Sequence, residues 1–199
     1  DYGYMPKLNT ANPEVQAYIY NVMVFWLNEY HIDGWRLDVA DEIDPSLWTR
    51  IRYRIKSAYP DCLLLGETWG DGFSLLDEKS VDSIMNYVFR DSVRDFLARG
   101  SIDAKMFNHR ICQMRSHYPE EIRQALFQPL DSHDTERFLW NCSGDIRRLK
   151  LAALFQMCFP GAPSIYYGDE IGLNGDNDPD CRRCMEWNPA KQNADVLSF

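Results

Sequence analysis

Asp33-Gly-Trp-Arg-Leu-Asp-Val39 contains a short apolar run that closes on a carboxylate, Asp38. Its length and its turn-forming flank read as a strand over Gly34 to Val39. Working outward, the same design recurs twice. Cys62-Leu-Leu-Leu-Gly-Glu67 ends on Glu67, and Leu130-Asp-Ser-His-Asp134 ends on Asp134. The three carboxylates stand about one and about two strand–helix units apart, each unit taking roughly 30 residues. A parallel sheet closed into a barrel gathers such strand ends around one mouth, the face where barrel active sites lie.

Helical and strand patterns alternate along the rest of the chain. Asn12-Pro13-Glu14 supplies a cap and a proline at the first helical position, and Val15, Tyr18, Ile19, Val22 and Trp26 follow at helical spacing. Asp44-Pro45 opens a second helix with Leu47, Trp48, Ile51 and Ile55 on one face. Cys62 to Leu65 is a continuous apolar run of the kind buried in parallel sheets. Val81 to Phe89 reads as the next strand, followed by helices over 91–99 and 103–117 split by Gly100. Ala125 to Pro129 is a strand, Asp145 to Phe159 a helix, and Ser164 to Tyr167 a last strand. The result is an α/β chain with five parallel strands. No GxGxxG follows a strand, so a dinucleotide fold has no support. A whole barrel takes about 250 residues; five strands in 199 residues read as a partial (β/α)8 barrel occupying the full chain.

Bulk composition excludes several functions. The net charge of −9 offers no basic face to a nucleic acid. No run approaches the roughly 18 apolar residues of a membrane span. Asp1-Tyr-Gly-Tyr-Met-Pro-Lys7 has no signal-peptide pattern and reads as mid-protein. Cys62, Cys112 and Cys158 sit in apolar or helical contexts suited to free buried thiols, which suggests a reducing, cytoplasmic setting. Cys181-Arg-Arg-Cys184 has CxxC spacing but no second pair to complete a metal site. His31, His109 and His117 read as surface or helix histidines, and Trp26 and Trp48 as core.

Convergent carboxylates are what cleavage of a glycosidic bond requires. Gly34-Trp-Arg-Leu-Asp38, Gly66-Glu67 and Ser132-His-Asp134, in this order and spacing, resemble the nucleophile, general-acid and third-carboxylate strands of the α-amylase family of glycoside hydrolases. Met5-Pro-Lys-Leu-Asn9, Met85-Asn-Tyr87, Tyr166-Tyr-Gly-Asp-Glu170 and Asn177-Asp-Pro-Asp-Cys-Arg-Arg183 are most similar to its neopullulanase, cyclomaltodextrinase and maltogenic amylase branch. The five strands then correspond to the fourth to eighth of the barrel. The family's third-strand motif, the first three strands and the trailing β-sandwich are absent from the sequence. Thr68-Trp69-Gly70 stands where the branch usually has Ile-Trp-His, and Asp41 where it commonly has Asn.

The resemblance implies a retaining α-glucan hydrolase acting on α-1,4 bonds in cyclodextrins, pullulan or starch oligosaccharides, with transglycosylation as a side path. Asp38 is the implied nucleophile, Glu67 the acid and then the base, and Asp134 the transition-state carboxylate. Burial of Glu67 beside Trp69 favours its protonated form. Arg36, two residues before Asp38, points to the same side of the strand; a guanidinium there keeps Asp38 ionised and oriented. By resemblance His133 binds a sugar hydroxyl, Glu42 influences water against sugar attack, Trp69 stacks on a glucose ring, and Asp178 and Arg182 hold donor-side sugar. The plain structural alternatives are an ion pair for Arg36 and for Asp178–Arg182, a solvated helix-start carboxylate for Glu42 and core packing for Trp69.

No cofactor is implied. Some family members bind calcium, but Asp176, Asn177, Asp178 and Asp180 miss the EF-hand spacing. The expected partner is an α-glucan oligosaccharide or polysaccharide, and the branch implies a homodimeric parent. The competing reading is a non-catalytic carbohydrate-binding or scaffold protein on an amylase-like barrel, against which the retained Asp38, Glu67 and Asp134 weigh. Residues 1–199 alone are expected to be inactive, because a partial barrel exposes two strand edges.

Overall fold

Asn12 sets the start of the first helix. In the computed structural model, which describes residues 6–77 and 80–199, its side chain accepts from the Glu14 N–H at 2.8 Å, and Pro13 takes the first helical position. Met5 of the Met5–Asn9 motif lies outside the described residues. The chain divides into two compact units, Asp1–Thr68 with Gly72–Ile84, and Trp69–Asp71 with Met85–Phe199.

The first unit holds α1 (Pro13–Tyr30), β1 (Gly34–Leu37), α2 (Pro45–Ala58), β2 (Leu63–Gly66), α3 (Phe73–Asp77) and β3 (Ser83–Ile84). The three strands form one parallel sheet in the order β1-β2-β3, with Gly34 paired to Leu63, Leu37 to Gly66 and Gly66 to Ile84. Gly34 is required by close approach: a Cβ there would lie 2.4 Å from the Leu63 carbonyl oxygen. Leu47, Trp48, Ile51 and Ile55 of α2 are buried as their spacing predicts. Asp82 ties the unit together. It accepts from the Leu64 N–H at 2.8 Å, from Arg52 at 2.5 Å and from Lys56 at 2.8 Å. Burial pushes the Asp82 carboxyl up, but Lys56, the Leu64 N–H and Arg52 outweigh it and hold it below its ordinary value.

α1 corrects one expectation. It buries Met23 and Leu27, whereas Trp26 is 42 % exposed and packs edge-on with Phe25 and against Tyr30. The helix is apolar on more than one stripe, so 3.6-residue spacing alone does not select the covered one.

The second unit holds α4 (Tyr87–Val93), which runs on as a π turn over Arg94–Ala98, then α5 (Ala104–His117), α6 (Glu120–Ala125), β4 (Phe127–Pro129), α7 (Phe138–Asn141), α8 (Ile146–Cys158), β5 (Ala162–Ser164) and α9 (Ala194–Leu197). β4 and β5 pair in parallel, with Phe127 opposite Ala162 and Pro129 opposite Ser164. Gln128 and Gln156 are buried and satisfied across this ladder. Gln156 Nε2 donates to the Gln128 and Ser164 carbonyls, and Gln128 Oε1 accepts from Asn86. Phe89, Phe155 and Phe159 pack as a ring cluster beneath it.

Two strand expectations are corrected. The strand read over Val81 to Phe89 is only Ser83–Ile84, because Asn86 accepts from the Phe89 N–H at 3.0 Å and caps α4. The strand read over Ser164 to Tyr167 is Ala162–Ser164; Tyr166 and Tyr167 leave the ladder to lie against the Arg137 guanidinium. Cys112 and Cys158, expected to be buried, are exposed, and all six cysteines are free thiols. Among the described residues, no helix is long and apolar enough to cross a membrane.

Candidate active site

In the first unit, β1 delivers Asp38 one residue past its last paired position. The chain then turns through Val39 at φ +46°, a left-handed conformation that is costly for a β-branched residue. The turn aims two backbone N–H groups at the residue following β2: Val39 donates to Glu67 Oε2 at 2.8 Å, and Ala40 to the Glu67 carbonyl at 2.9 Å. The Glu67 N–H returns the tie to the Leu37 carbonyl at 2.8 Å. Glu67 is thus fixed at both backbone and side chain and is 3 % exposed. The Asp38 side chain, by contrast, is 73 % exposed.

Arg36 joins them. Its Nη1 donates to Asp38 Oδ1 and its Nη2 lies 3.1 Å from Glu67 Oε1. One guanidinium fork in contact with both side chains keeps the carboxylate oxygens within about 8 Å of each other, a range that includes the roughly 5–5.5 Å of retaining carboxylate pairs. Glu42, in the turn Ala40–Glu42, pairs with Lys7 at 3.1 Å and is exposed. Asp41 Oδ2 accepts from the Thr68 hydroxyl at 2.6 Å, so two of the positions that depart from the family pattern bind each other.

In the second unit, the turn after β4 presents His133 and Asp134. Ser132 organises it: its N–H donates to Thr135 Oγ1 at 3.0 Å, its hydroxyl accepts from the Asp134 N–H at 3.2 Å, and Tyr87 holds that hydroxyl at 2.9 Å. His133 Nε2 lies 3.0 Å from Asp134 Oδ2. Arg182 Nη2 lies 3.1 Å from Asp134 Oδ1 and its Nε 2.9 Å from Asp178 Oδ1. The structure therefore brings four sequence-selected residues, His133, Asp134, Asp178 and Arg182, into one cluster. Trp69 is 52 % exposed, with its ring stacked on Tyr87 at 4.2 Å between centroids; it is a surface ring with a rigid backing, not a core residue.

Sequence reasoning missed the polar interior of this second unit. Asp131, Arg137 and Asp169 are brought together there, and their only signal was a charged residue at the edge of apolar Phe138-Leu-Trp140 and an Asp in the turn after β5. Asp176, Asp178 and Asp180 do not converge: Asp180 accepts from Asp176 N–H and Arg183, and Asp178 pairs with Arg182. Among the described residues, no group of three or more His, Cys, Asp or Glu side chains is arranged to hold a metal ion.

Residues 1–197 match the family model described as "Alpha amylase, catalytic domain". The chain is 50 % identical over 195 residues to neopullulanase 2 of Thermoactinomyces vulgaris, covering 98 % of this chain and 33 % of that protein. It is 42 % identical over 195 residues to the intracellular maltogenic amylase of Bacillus subtilis strain 168, again covering 98 % and 33 %. Among solved structures it superposes on a cyclomaltodextrinase with a TM-score of 0.94 at 43 % identity, covering 98 % of this chain and 33 % of that one. The chain spans about a third of the length of these relatives. By its motifs, its α/β fold and these matches, the chain belongs to the α-amylase family, in the branch of neopullulanases, cyclomaltodextrinases and maltogenic amylases.

Proposed function

We propose that this chain supplies the catalytic carboxylates of a retaining hydrolase of α-1,4-glucosidic bonds in cyclodextrins, pullulan or starch oligosaccharides. The observation that carries the proposal is the Arg36 bridge between an exposed Asp38 and a buried Glu67 at the ends of neighbouring parallel strands. Asp38 attacks the anomeric carbon while Glu67 gives its proton to the leaving glycosidic oxygen. In the second step Glu67 takes a proton from water, or from a sugar hydroxyl in transglycosylation, and that oxygen displaces Asp38. Arg36 orients Asp38. Asp134 stabilises the oxocarbenium-like transition state, and His133 binds a sugar hydroxyl beside it. Asp178 and Arg182 hold donor-side sugar, Glu42 biases the acceptor, and the face of Trp69 turned away from Tyr87 stacks on a glucose ring. The supports are family membership and the two local geometries.

The five strands are proposed to be the fourth to eighth of a (β/α)8 barrel, with residues 1–199 a single part of that catalytic domain; a three-stranded and a two-stranded sheet, each parallel and each alternating with helices, support this. A cytoplasmic, homodimeric parent acting on α-glucans is proposed with it, supported for location by the intracellular maltogenic amylase relative.

The test is product analysis on the three substrates with anomeric NMR, using the full-length protein. Retained configuration and loss of reducing-sugar release in Asp38→Asn, on the order of 10⁴-fold or more, are expected. Inverted products, or an active Asp38→Asn enzyme, would remove the nucleophile assignment. In the same assay, residues 1–199 alone are expected to show negligible turnover.

A further inference from the structure

Arg137 is completely buried and joins three segments of the second unit. Its Nη1 donates to the Tyr167 carbonyl at 2.6 Å and to Asp169 Oδ1 at 3.1 Å. Its Nε donates to the Cys181 carbonyl at 3.1 Å, and its backbone N–H to the Gly175 carbonyl at 3.0 Å. The Tyr166 and Tyr167 rings lie 4.3 and 4.8 Å from the guanidinium carbon. Asp169, with its side chain 12 % exposed, lies beside Asp131. Asp131 Oδ2 accepts from the Phe138 N–H at 2.6 Å, while its Oδ1 is buried with no N–H donor. Burial and the Asp131 charge beside it favour the protonated form of Asp169, which sets a carboxyl proton between the two side chains.

Burying an arginine and two carboxyls is a poor way to gain stability, because well-packed apolar residues do as well or better. What such a cluster supplies is fixed geometry. The segments it joins are those that bear the candidate sugar-facing groups: 131–137 carries His133 and Asp134, and 175–182 carries Asp178 and Arg182. A second tie runs the same way, from Cys181 Sγ to the His133 carbonyl at 3.4 Å.

We propose that Arg137 and the Asp131–Asp169 pair are positioning residues for Asp134, locking its loop to the loop of Arg182 so that one guanidinium reaches both Asp134 and Asp178. The proposal rests on the role given above to Asp134. These residues touch no substrate; they act through the place they give to Asp134.

The test uses the full-length protein and reads kcat, KM and thermal unfolding together. Asp134→Asn is the reference: its inactivity establishes the role that the lock serves, and full activity removes that role and this proposal with it. With Asp134→Asn inactive, folded Arg137→Met is expected to lose about 10²-fold in kcat, more than KM rises. Its crystal structure is expected to show the Arg182–Asp134 bridge broken. Wild-type kcat in folded Arg137→Met overturns the positioning role and leaves the functional reading intact. Asp169 gives a second, milder comparison. Asp169→Asn keeps an N–H for Asp131 and an oxygen for Arg137, so it is expected to rescue kcat to within about threefold of wild type, where Asp169→Ala loses about tenfold. Equal kcat in those two variants overturns the proposal, including where Arg137→Met does not fold.

Discussion

Among the candidate site residues, two guanidiniums each span two carboxylates: Arg36 between Asp38 and Glu67, and Arg182 between Asp134 and Asp178. The planar fork matters, because two donors at fixed spacing orient two acceptors at once, which an ammonium on a flexible stem does not do. Arg36→Lys keeps the charge and removes the fork. It is expected to lower kcat by about tenfold or more with little change in thermal unfolding; an unchanged kcat would show that charge alone suffices. At this scale much of the site was legible. Strand alternation placed Arg36 and Asp38 on one side before any coordinates. Arg137 and Asp169 were not legible, because nothing in a local pattern says that two ionisable side chains 32 residues apart will be buried against each other.

At the scale of elements, capping chemistry separates what could be read from what could not. Asn12 and Asp44 cap the helices the sequence opens on them, and Asp103 and Asp145, read as the first residues of their helices, are their caps. Asn86 does the same inside a run whose apolar residues read as a strand, and a cap that satisfies an N–H at a helix start outweighs β propensity there. The length of a parallel strand was also hidden: β3 pairs over two residues only, and no spacing rule predicts where a ladder stops. Gly34 shows the reverse case, an element whose register depends on one missing atom. Gly34→Ala places a Cβ against the Leu63 carbonyl at the first β1–β2 pair. Because that neighbour is backbone and β2 cannot yield locally, the substitution is expected to cost about 1–3 kcal/mol, measured by urea unfolding. A cost near zero would show that β1 and β2 slide apart at this end without penalty.

For the whole molecule, one carboxyl in each unit answers pH in the direction opposite to the other. Asp82, in the first unit, is held below its ordinary value by Lys56, Leu64 N–H and Arg52 despite burial. Its contribution is therefore present above the unfolded pKa of about 3.9 and is lost as pH falls through the lower folded value. Asp169, in the second unit, is pushed well up, first by burial and then by the charge of Asp131. Its contribution is complete below about pH 3.9 and declines as pH rises toward the raised folded value. Asp82→Asn is accordingly expected to destabilise at pH 7 by about 1–3 kcal/mol, with the deficit closing below about pH 4. Asp169→Asn, which fixes the protonated shape, is expected to stabilise at pH 7 by about 1 kcal/mol or more, with the gain vanishing over the same acid range. Urea unfolding of both variants and wild type from pH 3 to pH 8, on the order of one titration window either side of the unfolded value, reads both signs at once. Like signs in the two variants at pH 7 would mean that Asp169 is ionised in the folded chain, and the carboxyl proton assigned between it and Asp131 would have to be withdrawn.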